Sequence, residues 1–430
     1  MLGDVLPDVS VENVLFVSVD CLRGDRYEDA LEDGILEHIP SLHDAGVYYD
    51  RAYTVANTTD PSLTSTMTSM YPQTHGVREN GLGLDTETPV VAQELRSGGI
   101  ETFGVVSVDH LSHEHSGLGR GFDAYCIDDS YDTLYPFLSR IFDTKTFNVV
   151  FGAVKNLGTE RYNVKNLLRD VGLIRLHCRT GRSVNEDALA QLDERDEPFF
   201  GWVHYFDMHE PRNFSRDLLA DHDEYTASLI GVDEYVGELL AKLEEKGVRD
   251  ETLVVFTADH GENLGDHGYT GHGRTLYDEE VHVPLLFSHP DLDGVTVEKQ
   301  VRSTDVAPTL LDVFGVPIPD SFQGESLAVP EEDLGDRPLF ATAYPEFTDA
   351  VCVREPGWKL IRTGDEYELY DLADDPTESS DLLDAGSNDD KFERLRDRLE
   401  RWEANQSDEL RESSVDGETQ EMLEDLGYVD

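Results

Sequence analysis

Three side chains that could bind a cation or a polar substrate come directly after apolar runs of the sequence. Asp20 ends the run NVLFVSVD, and Asp259 and His260 follow the run TLVVFT that begins at Thr252. Short, apolar, β-branched runs are typical of strands buried in a parallel sheet. Ligands and catalytic groups collect at the carboxyl ends of such strands. We therefore expect the three side chains at one edge of an α/β sheet.

The stretch from Asn57 to Gly76 carries a second chemical signature. It reads NTTDPSLTSTMTSMYPQTHG and resembles the nucleophile signature of sulfatases. In that family the pattern is Cys/Ser-x-Pro-Ser-Arg, then a Ser two residues on, with Tyr-Pro-x-x-His-Gly closing the following helix. The residues of this chain at matching offsets are Thr59, Pro61, Ser62, Ser65, Thr68, Tyr71, Pro72, His75 and Gly76.

The resemblance covers residues 13 to about 125 and 196 to 385. It implies an alkaline-phosphatase-like α/β fold, with a doubly wound, mostly parallel sheet, helices on both faces and a small C-terminal antiparallel-sheet subdomain. The pattern of the chain favours the same class, because apolar runs alternate with helical segments. Further apolar runs begin at Glu101, Pro198 and Val283, and the clearest helical segment spans Tyr225 to Glu245.

Two positions depart from the sulfatase pattern. Thr59 stands where sulfatases carry the Cys or Ser that becomes formylglycine, and Leu63 stands where they carry the Arg that holds it. Formylglycine cannot be made from threonine. The chain therefore also resembles the wider alkaline phosphatase superfamily, where an unmodified Thr on a metal is the nucleophile of nucleotide phosphodiesterases and of phosphoethanolamine or glycerol-phosphate transferases. A threonine hydroxyl is a poor nucleophile at neutral pH, so it needs such a metal.

The segment from Thr257 to Pro284 resembles the part of sulfatases that binds metal and anion. The resemblance implies Asp20, Thr59, Asp259 and His260 as metal ligands. Three oxygens and one nitrogen suit Zn²⁺ or Mn²⁺ better than Ca²⁺, although Ca²⁺ stays open. Cys21 occupies the usual place of a second Asp, which weakens the calcium alternative further.

The resemblance also assigns residues that would contact the anion. His209 precedes x-Pro as the anion-binding His of sulfatases does, and His272 stands in the place of a sulfatase Lys. As a neutral imidazole, His272 could instead bind a second metal. Sulfatases carry a Lys and a His after the strand equivalent to 101–108. The Lys is absent from this chain, and His110 is our choice for the His. Arg23 could donate to a substrate oxygen, or form a salt bridge to Asp25 or another acid.

Two further histidines are predicted to be structural. His204 reads as an inward residue that packs on a strand, and His75 as a cap of the nucleophile helix. Two-metal relatives carry an Asp with a His four residues later, whereas Asp207 and His209 are two apart. This spacing argues against a second metal.

Composition limits the partners and the setting of the protein. The 430 residues include 90 acidic and 34 basic ones, a formal net charge of −56. Such self-repulsion is tolerable where the Debye length falls from about 10 Å at 0.1 M salt to about 3 Å at 1 M. We interpret the charge as adaptation to a salt-rich cytoplasm, as in a halophilic archaeon, rather than as binding of a basic partner. Duplex nucleic acid is disfavoured.

Cysteine usage and the N-terminal sequence favour a soluble, cytoplasmic protein. Cys21, Cys126, Cys178 and Cys352 are widely spaced without a CxxC pair, so they read as packing residues. The first sixteen residues lack a positive region followed by an apolar core. No stretch reaches the roughly 18 apolar residues of a spanning helix.

We divide the chain into a catalytic domain (1–335), an antiparallel subdomain (336–390) and an acidic helical tail (391–430). Residues 138–183 hold nine basic and three acidic residues, a net charge of +6 within this acidic chain. This insert could be a basic amphipathic lid that recruits an anionic substrate, membrane surface or glycolipid. Alternatively its arginines pair with acids of the protein or of an oligomer.

The function predicted from these residues is hydrolysis of phosphate mono- or diesters by in-line attack of a metal-bound Thr59. The nearest alternative is a sulfuric ester hydrolase without formylglycine. A transferase that passes a phosphoryl-alcohol group to a glycan or lipid is a second, and a non-catalytic binding protein is a third. The last is disfavoured because the chain retains Asp20, Thr59, Asp259, His260 and His272.

Overall fold

The computed structural model describes residues 9–127, 178–195, 198–330, 333–383 and 389–406, together with Thr419 and Leu423. Its central element is an eight-stranded sheet. In chain order the strands are β1 (Asn13–Val19), β2 (Gly46–Tyr49), β3 (Ala52–Tyr53), β4 (Glu101–Val105), β5 (Ala124–Cys126), β6 (Phe199–Tyr205), β7 (Thr252–Ala258), β8 (Asn263–Leu264), β9 (Thr270–Gly271), β10 (Leu285–Ser288), β11 (Val295–Val297), β12 (Val301–Arg302), β13 (Leu339–Thr342), β14 (Ala350–Glu355), β15 (Trp358–Thr363) and β16 (Glu366–Asp371).

The central sheet is mostly parallel, as predicted. Its strand order is β11-β2-β10-β7-β1-β6-β4-β5. Only β10 runs antiparallel to its neighbours, β2 and β7. The strands β2, β5 and β11 were not predicted, because runs of four, three and three residues are too short to show a period.

Helices cover both faces of this sheet, which confirms the doubly wound arrangement. The α-helices are α1 (Gly24–Glu32), α2 (Ile39–Asp44), α3 (Thr59–Thr68), α4 (Pro72–His75), α5 (Val91–Ser97), α6 (His113–Ser116), α7 (Gly181–Glu194), α8 (Glu224–Lys246), α9 (Asp278–Val281), α10 (Val306–Val313) and α11 (Asp389–Asn405). Successive side chains of a strand point to opposite faces. Accordingly, Val14 and Phe16 pack with α3, α5 and α10, whereas Leu15 and Val17 pack with α1, α7 and α8.

The predicted C-terminal antiparallel sheet is present as β13 to β16, paired in sequence order. Helix α11 packs against it through the buried Leu395 and Leu399. The same apolar cluster includes Tyr53 and Val55, which precede the nucleophile helix. The small sheet therefore shares its core with the segment that leads to Thr59, while the domain boundaries stay a prediction.

Most of the basic insert lies outside the described residues, so its role as a lid stays a prediction. Of its nine basic residues, the structure describes Arg179 and Arg182. Arg179 pairs with Asp187, and Arg182 lies 2.7 Å from Glu238. These two arginines agree with the alternative hypothesis, in which the basic residues pair with acids of the same protein.

None of the helices in the described ranges has the length and apolar character needed to cross a bilayer.

A buried ion cluster joins the small sheet to the catalytic part of the chain. Lys359 of β15 is fully buried, and its Nζ lies 2.7 Å from Asp278 and 2.8 Å from Glu378. Arg354 of β14 lies 3.0 Å from the second carboxylate oxygen of Asp278. Because Asp278 begins α9, the cluster anchors the segment that follows the candidate His272.

We expect Lys359→Ala to lower the free energy of unfolding by about 3–5 kcal/mol, because it leaves the buried carboxylate of Glu378 without its cation. Urea titration at fixed salt would measure the loss. Lys299→Ala is the matched control, since Lys299 makes a more exposed pair with Asp336. That change should cost less than about 1 kcal/mol. A loss as small for Lys359 would contradict the anchoring role.

His75 closes the turn after the nucleophile helix. Ser65 Oγ donates to the carbonyl of Pro61, and the same oxygen lies 3.0 Å from His75 Nε2. The backbone N–H of Val77 donates to His75 Nδ1 over 3.1 Å. These contacts require a neutral imidazole with its proton on Nε2, and burial lowers the pKa of His75 to about 3. The histidine thus has a structural role, as predicted, but Ser69 rather than His75 occupies the C-cap of the nucleophile helix.

The neutral state of His75 predicts a loss of stability in acid. The unfolded chain binds a proton on this imidazole below about pH 6.5, whereas the folded chain does so only near pH 3. Acidification from pH 7 to 5 therefore favours unfolding at this residue by about 2 kcal/mol. We expect that His75→Gln reduces the pH 7 to 5 drop in unfolding free energy by this amount. An equal drop in wild-type protein and His75→Gln would contradict this assignment.

Candidate active site

Asp20, Asp259 and His260 meet at one edge of the sheet, as the sequence predicts. Asp20 follows β1 and the other two follow β7, and these strands pair in parallel with Val19 opposite Ala258. All three side chains are buried. The carboxyl ends of the two central strands therefore deliver two carboxylates and one imidazole to the same place.

Thr59 lies between these groups at the start of α3. Its hydroxyl donates to Asp20 Oδ2 over 3.1 Å and lies 3.3 Å from His260 Nε2. Ser62, one turn further on, donates to the carbonyl of Asp259 over 2.5 Å. The serine of the sequence signature thus ties the nucleophile helix to the end of β7, which explains why Thr59 faces the carboxylates.

The buried carboxylates fit a divalent cation. Asp20 Oδ1 and Asp259 Oδ2 have no hydrogen-bond partner among the residues that the structure describes. Burial, followed by the charge of Asp259, raises the pKa of Asp20, and burial raises the pKa of Asp259 to about 8. A bound cation would offset this cost of two adjacent negative charges. Ligand atoms of Asp20, Asp259 and His260 all lie within 4.8 Å of one another.

The orientation of these ligands is fixed by backbone contacts. Asp259 Oδ1 accepts from the backbone N–H groups of Cys21 (3.3 Å) and His260 (2.8 Å). His260 Nδ1 lies 2.8 Å from the carbonyl of Gly261 and therefore carries the proton. Its Nε2 then offers a lone pair towards Thr59. Burial lowers the pKa of His260 to about 4, so the imidazole is neutral and able to bind a metal.

Cys21 packs in the core, as predicted, and it also lies beside the candidate metal ligands. Its thiol is fully buried, 4.0 Å from His260 Nδ1. Cys21 belongs to two further groups of potential ligands, one with His260 and His272 and one with Asp20 and His209. The signals in the sequence are its place directly after Asp20 and the second Asp that sulfatases usually carry at this position.

His209 and His272 join the same site. Their Nε2 atoms are 3.2 Å apart, and the His272 ring centroid lies 4.3 Å from that of His260. His209 Nδ1 contacts the carbonyl of Glu210 at 2.6 Å, and His272 Nδ1 contacts that of Asn57 at 3.3 Å. Burial lowers the pKa of both imidazoles, so both are neutral without a bound anion.

The loop that carries His272 is held by a glutamate that sequence reasoning missed. Glu280 is fully buried and accepts from Asn57 Nδ2 (2.9 Å), from the backbone N–H of Gly273 (2.8 Å) and from the Thr275 hydroxyl. Asn57 itself lies two residues before Thr59. One carboxylate therefore sets the distance between the nucleophile segment and His272. Nothing in the local pattern around Glu280 distinguishes it from the other acids.

His110 is bound to the nucleophile helix. Its Nδ1 lies 2.6 Å from Asp60 Oδ1. Asp60 is itself held by the backbone N–H of Gly81 at 2.6 Å. Burial lowers the pKa of His110 and the Asp60 carboxylate raises it, with a net upward shift. The pair stabilises the residue that follows Thr59, and a direct catalytic role for His110 stays a prediction.

Arg23 forms salt bridges, which was the second of the two roles predicted for it. Its guanidinium binds Asp25 through two nitrogens, at 2.9 and 2.6 Å, and Asp266 at 2.7 Å. The side chain is buried. Both ends of the guanidinium are therefore occupied by carboxylates of the protein, and its action on a substrate oxygen stays a prediction.

Comparison with known proteins agrees with this arrangement. The family model described as "Sulfatase" matches residues 12–316, and that of the C-terminal part of N-sulphoglucosamine sulphohydrolase matches residues 265–405. The ulvan-active sulfatase of Formosa agariphila is 26% identical over 428 residues, which cover 90% of this chain and 79% of that protein. The N-acetylglucosamine-6-O-sulfatase of Bacteroides thetaiotaomicron is 34% identical over 176 residues, 37% of this chain and 31% of that one.

A solved structure extends the likeness over nearly the whole fold. The phosphonate monoester hydrolase SpPMH from Silicibacter pomeroyi aligns with a TM-score of 0.69 at 22% identity and covers 95% of this chain and 98% of its own. At that identity the alignment shows a shared fold alone. Because the family model matches residues 12–316, which is more than half of the chain, this chain belongs to the sulfatase family and is an ester hydrolase.

Proposed function

We propose that the protein hydrolyses phosphate mono- or diesters with Thr59 as the nucleophile and a divalent cation as cofactor. The observation that carries the proposal is the position of Thr59 Oγ1, 3.1 Å from Asp20 Oδ2 and 3.3 Å from His260 Nε2. A serine or cysteine destined for formylglycine is absent from this position. An unmodified hydroxyl therefore has to perform the chemistry that the site supports.

In the proposed reaction Thr59 Oγ1 forms a bond to phosphorus while the bond to the leaving ester oxygen breaks. The hydroxyl proton passes to Asp20 Oδ2, to which it already donates. The proton held by Asp20 passes on to the leaving ester oxygen, which departs as the alcohol. Water then attacks phosphorus and the Oγ1–P bond breaks, so that phosphate, or a phosphate monoester from a diester, is released while one proton of the water returns to Thr59 Oγ1. A cation held by Asp20, Asp259 and His260 would lower the pKa of the hydroxyl and offset the charge of the ester.

His209 and His272 are proposed to contact the ester oxygens. Their Nε2 atoms lie 3.2 Å apart, next to the ring of His260. Transition-state charge in phosphoryl transfer is spread over the equatorial oxygens and must be met by donors and cations. An anion between the two rings would favour their protonated forms, so the pair can supply N–H donors when substrate is bound.

Sulfuric ester hydrolysis is the second candidate, and the relatives named above favour it. Thr59 and Leu63 argue against it, because they replace the formylglycine precursor and its Arg. The phosphonate monoester hydrolase with the same fold supports phosphorus chemistry on this architecture. Three further points stay proposals. They are the identity of the metal as Zn²⁺ or Mn²⁺, the salt-rich cytoplasmic setting, and a surface contact through residues 138–183.

The test is turnover by the purified protein in high salt with Zn²⁺ or Mn²⁺. Three substrates would be compared: p-nitrophenyl phosphate, its bis-ester and p-nitrophenyl sulfate. We expect phosphoester turnover to exceed sulfate turnover, and the mono- to bis-ester ratio to identify the preferred class. Sulfate turnover alone would favour the second candidate. An added alcohol that diverts the product from free phosphate to a new ester would indicate the transferase alternative.

A further inference from the structure

His204 lies next to Asp20, the candidate metal ligand that follows the neighbouring strand. It is fully buried in β6, and its register partner on β1 is Ser18, two residues before Asp20. The sequence predicted a packing role for this inward residue. Its polar contacts show a more specific arrangement.

Hydrogen-bond directions define the state of the His204 ring. Trp202 Nε1 can only donate, and it donates to Ser18 Oγ over 2.9 Å. His204 Nδ1 lies 2.9 Å from the same oxygen. Among the described residues this nitrogen is the acceptor within reach of the Ser18 hydroxyl proton, from which we infer that Nδ1 accepts. The proton of the neutral ring therefore sits on Nε2.

His204 Nε2 lies near the carboxylate of Asp20. The nitrogen lies 3.9 Å from Asp20 Oδ2, the oxygen that accepts from Thr59, and it has no hydrogen-bond partner within the described residues. This separation is longer than a hydrogen bond. In a dry site, however, an N–H dipole aimed at a carboxylate interacts strongly, and an unpaired buried imidazole is costly.

We propose that His204 is a positioning residue for Asp20. With its N–H directed at Oδ2, it holds the carboxylate so that Oδ2 faces Thr59 while Oδ1 is left for the cation. Ser18 and Trp202 hold the ring in the required tautomer. Residues that orient a metal ligand from behind act on metal affinity without touching the metal. The inference rests on the proposed cation site.

Mn²⁺ binding to the full chain, measured by isothermal titration calorimetry, tests the proposal directly. We expect His204→Leu to weaken Mn²⁺ binding by about 10–100-fold. His204→Gln keeps an N–H donor and should restore most of the affinity. His75→Gln is the matched control, because it removes another buried histidine with two polar contacts and should leave affinity unchanged. Circular dichroism would establish that each variant is folded.

The outcomes separate the positioning role from the proposed function. A wild-type protein that binds no Mn²⁺ overturns both. Wild-type affinity in folded His204→Leu, or equal losses in His204→Leu and His204→Gln, overturns the positioning role alone. If His204→Leu does not fold, Ser18→Ala provides the test, since it releases the tautomer. Weaker binding is then expected, and unchanged affinity would contradict the proposal.

Discussion

Alanine in place of Thr59 is expected to lower kcat/KM for phosphoesters by at least about 10⁴-fold, as loss of a covalent nucleophile does in other enzymes. The hydroxyl is the group of this residue that contacts Asp20 and His260. The helix itself should persist, because its N-cap residue is Thr58, which this substitution leaves in place. Steady-state rates with p-nitrophenyl phosphate and its bis-ester would measure the loss.

Two variants control for the chemistry and for the packing of Thr59. Thr59→Ser keeps the hydroxyl and should stay within about tenfold of the wild-type rate. Thr68→Ala removes a buried hydroxyl of the same helix that donates to the Thr64 carbonyl, and it should leave the rate unchanged. Substantial turnover by Thr59→Ala, of phosphate or of sulfate esters, would contradict covalent catalysis and favour direct attack by water.

Asp259→Asn is expected to weaken Mn²⁺ binding strongly and to lower kcat/KM by about 10³-fold. The amide can still accept from the backbone N–H groups of Cys21 and His260 through its oxygen. The change therefore removes one negative charge from the cation site while the local backbone contacts persist. Calorimetry with Mn²⁺ would give the affinity, and rates after EDTA treatment and Mn²⁺ addition would give the activity.

Asp233→Asn is the matched control for this prediction. Asp233 is also a buried aspartate that accepts from backbone N–H groups, those of Glu37, His38 and Ile39. It lies on α8, and its replacement should affect stability but leave Mn²⁺ affinity unchanged. Full activity of EDTA-treated wild-type protein without added metal would contradict the cation-dependent mechanism and leave the carboxylates with a role in proton transfer alone.

The overall negative charge of the chain and the proposed binding of Mn²⁺ at the candidate site depend differently on salt. The formal net charge of −56 is spread over nearly the whole sequence, whereas the candidate site uses two buried carboxylates. Long-range repulsion is screened at high salt, but a buried pair is screened much less. Mn²⁺ binding should therefore survive in the molar salt in which the protein is proposed to work.

Part of the candidate site was readable from short stretches of sequence. Apolar runs predicted β1 and β7, and with them the meeting of Asp20, Asp259 and His260, because strand period and burial are local properties of a parallel sheet. The nucleophile helix was expected because the Thr59 signature resembles that of sulfatases, in which a helix follows the nucleophile. Short strands such as β5 escaped prediction, since three residues carry no period.

Charge pairing could not be read in this way. The sequence suggested Asp25 as a partner of Arg23, but only the fold shows that Asp266, 243 positions away, binds it as well. The pairing of His110 with Asp60 joins residues fifty positions apart. Such choices depend on which segments pack together, and the sequence alone carries no local signal for them.

The sequence by itself determined the family, the α/β architecture and the identity of the residues at the sheet edge. These follow from period, strand-end position and motif spacing, which act over a few residues. The tertiary structure decided how the imidazoles are oriented. His204 faces Asp20, and His209 meets His272, because strands and loops far apart in the chain converge there. Hydrogen-bond direction then fixes each tautomer, and with it the group that each ring offers to the site.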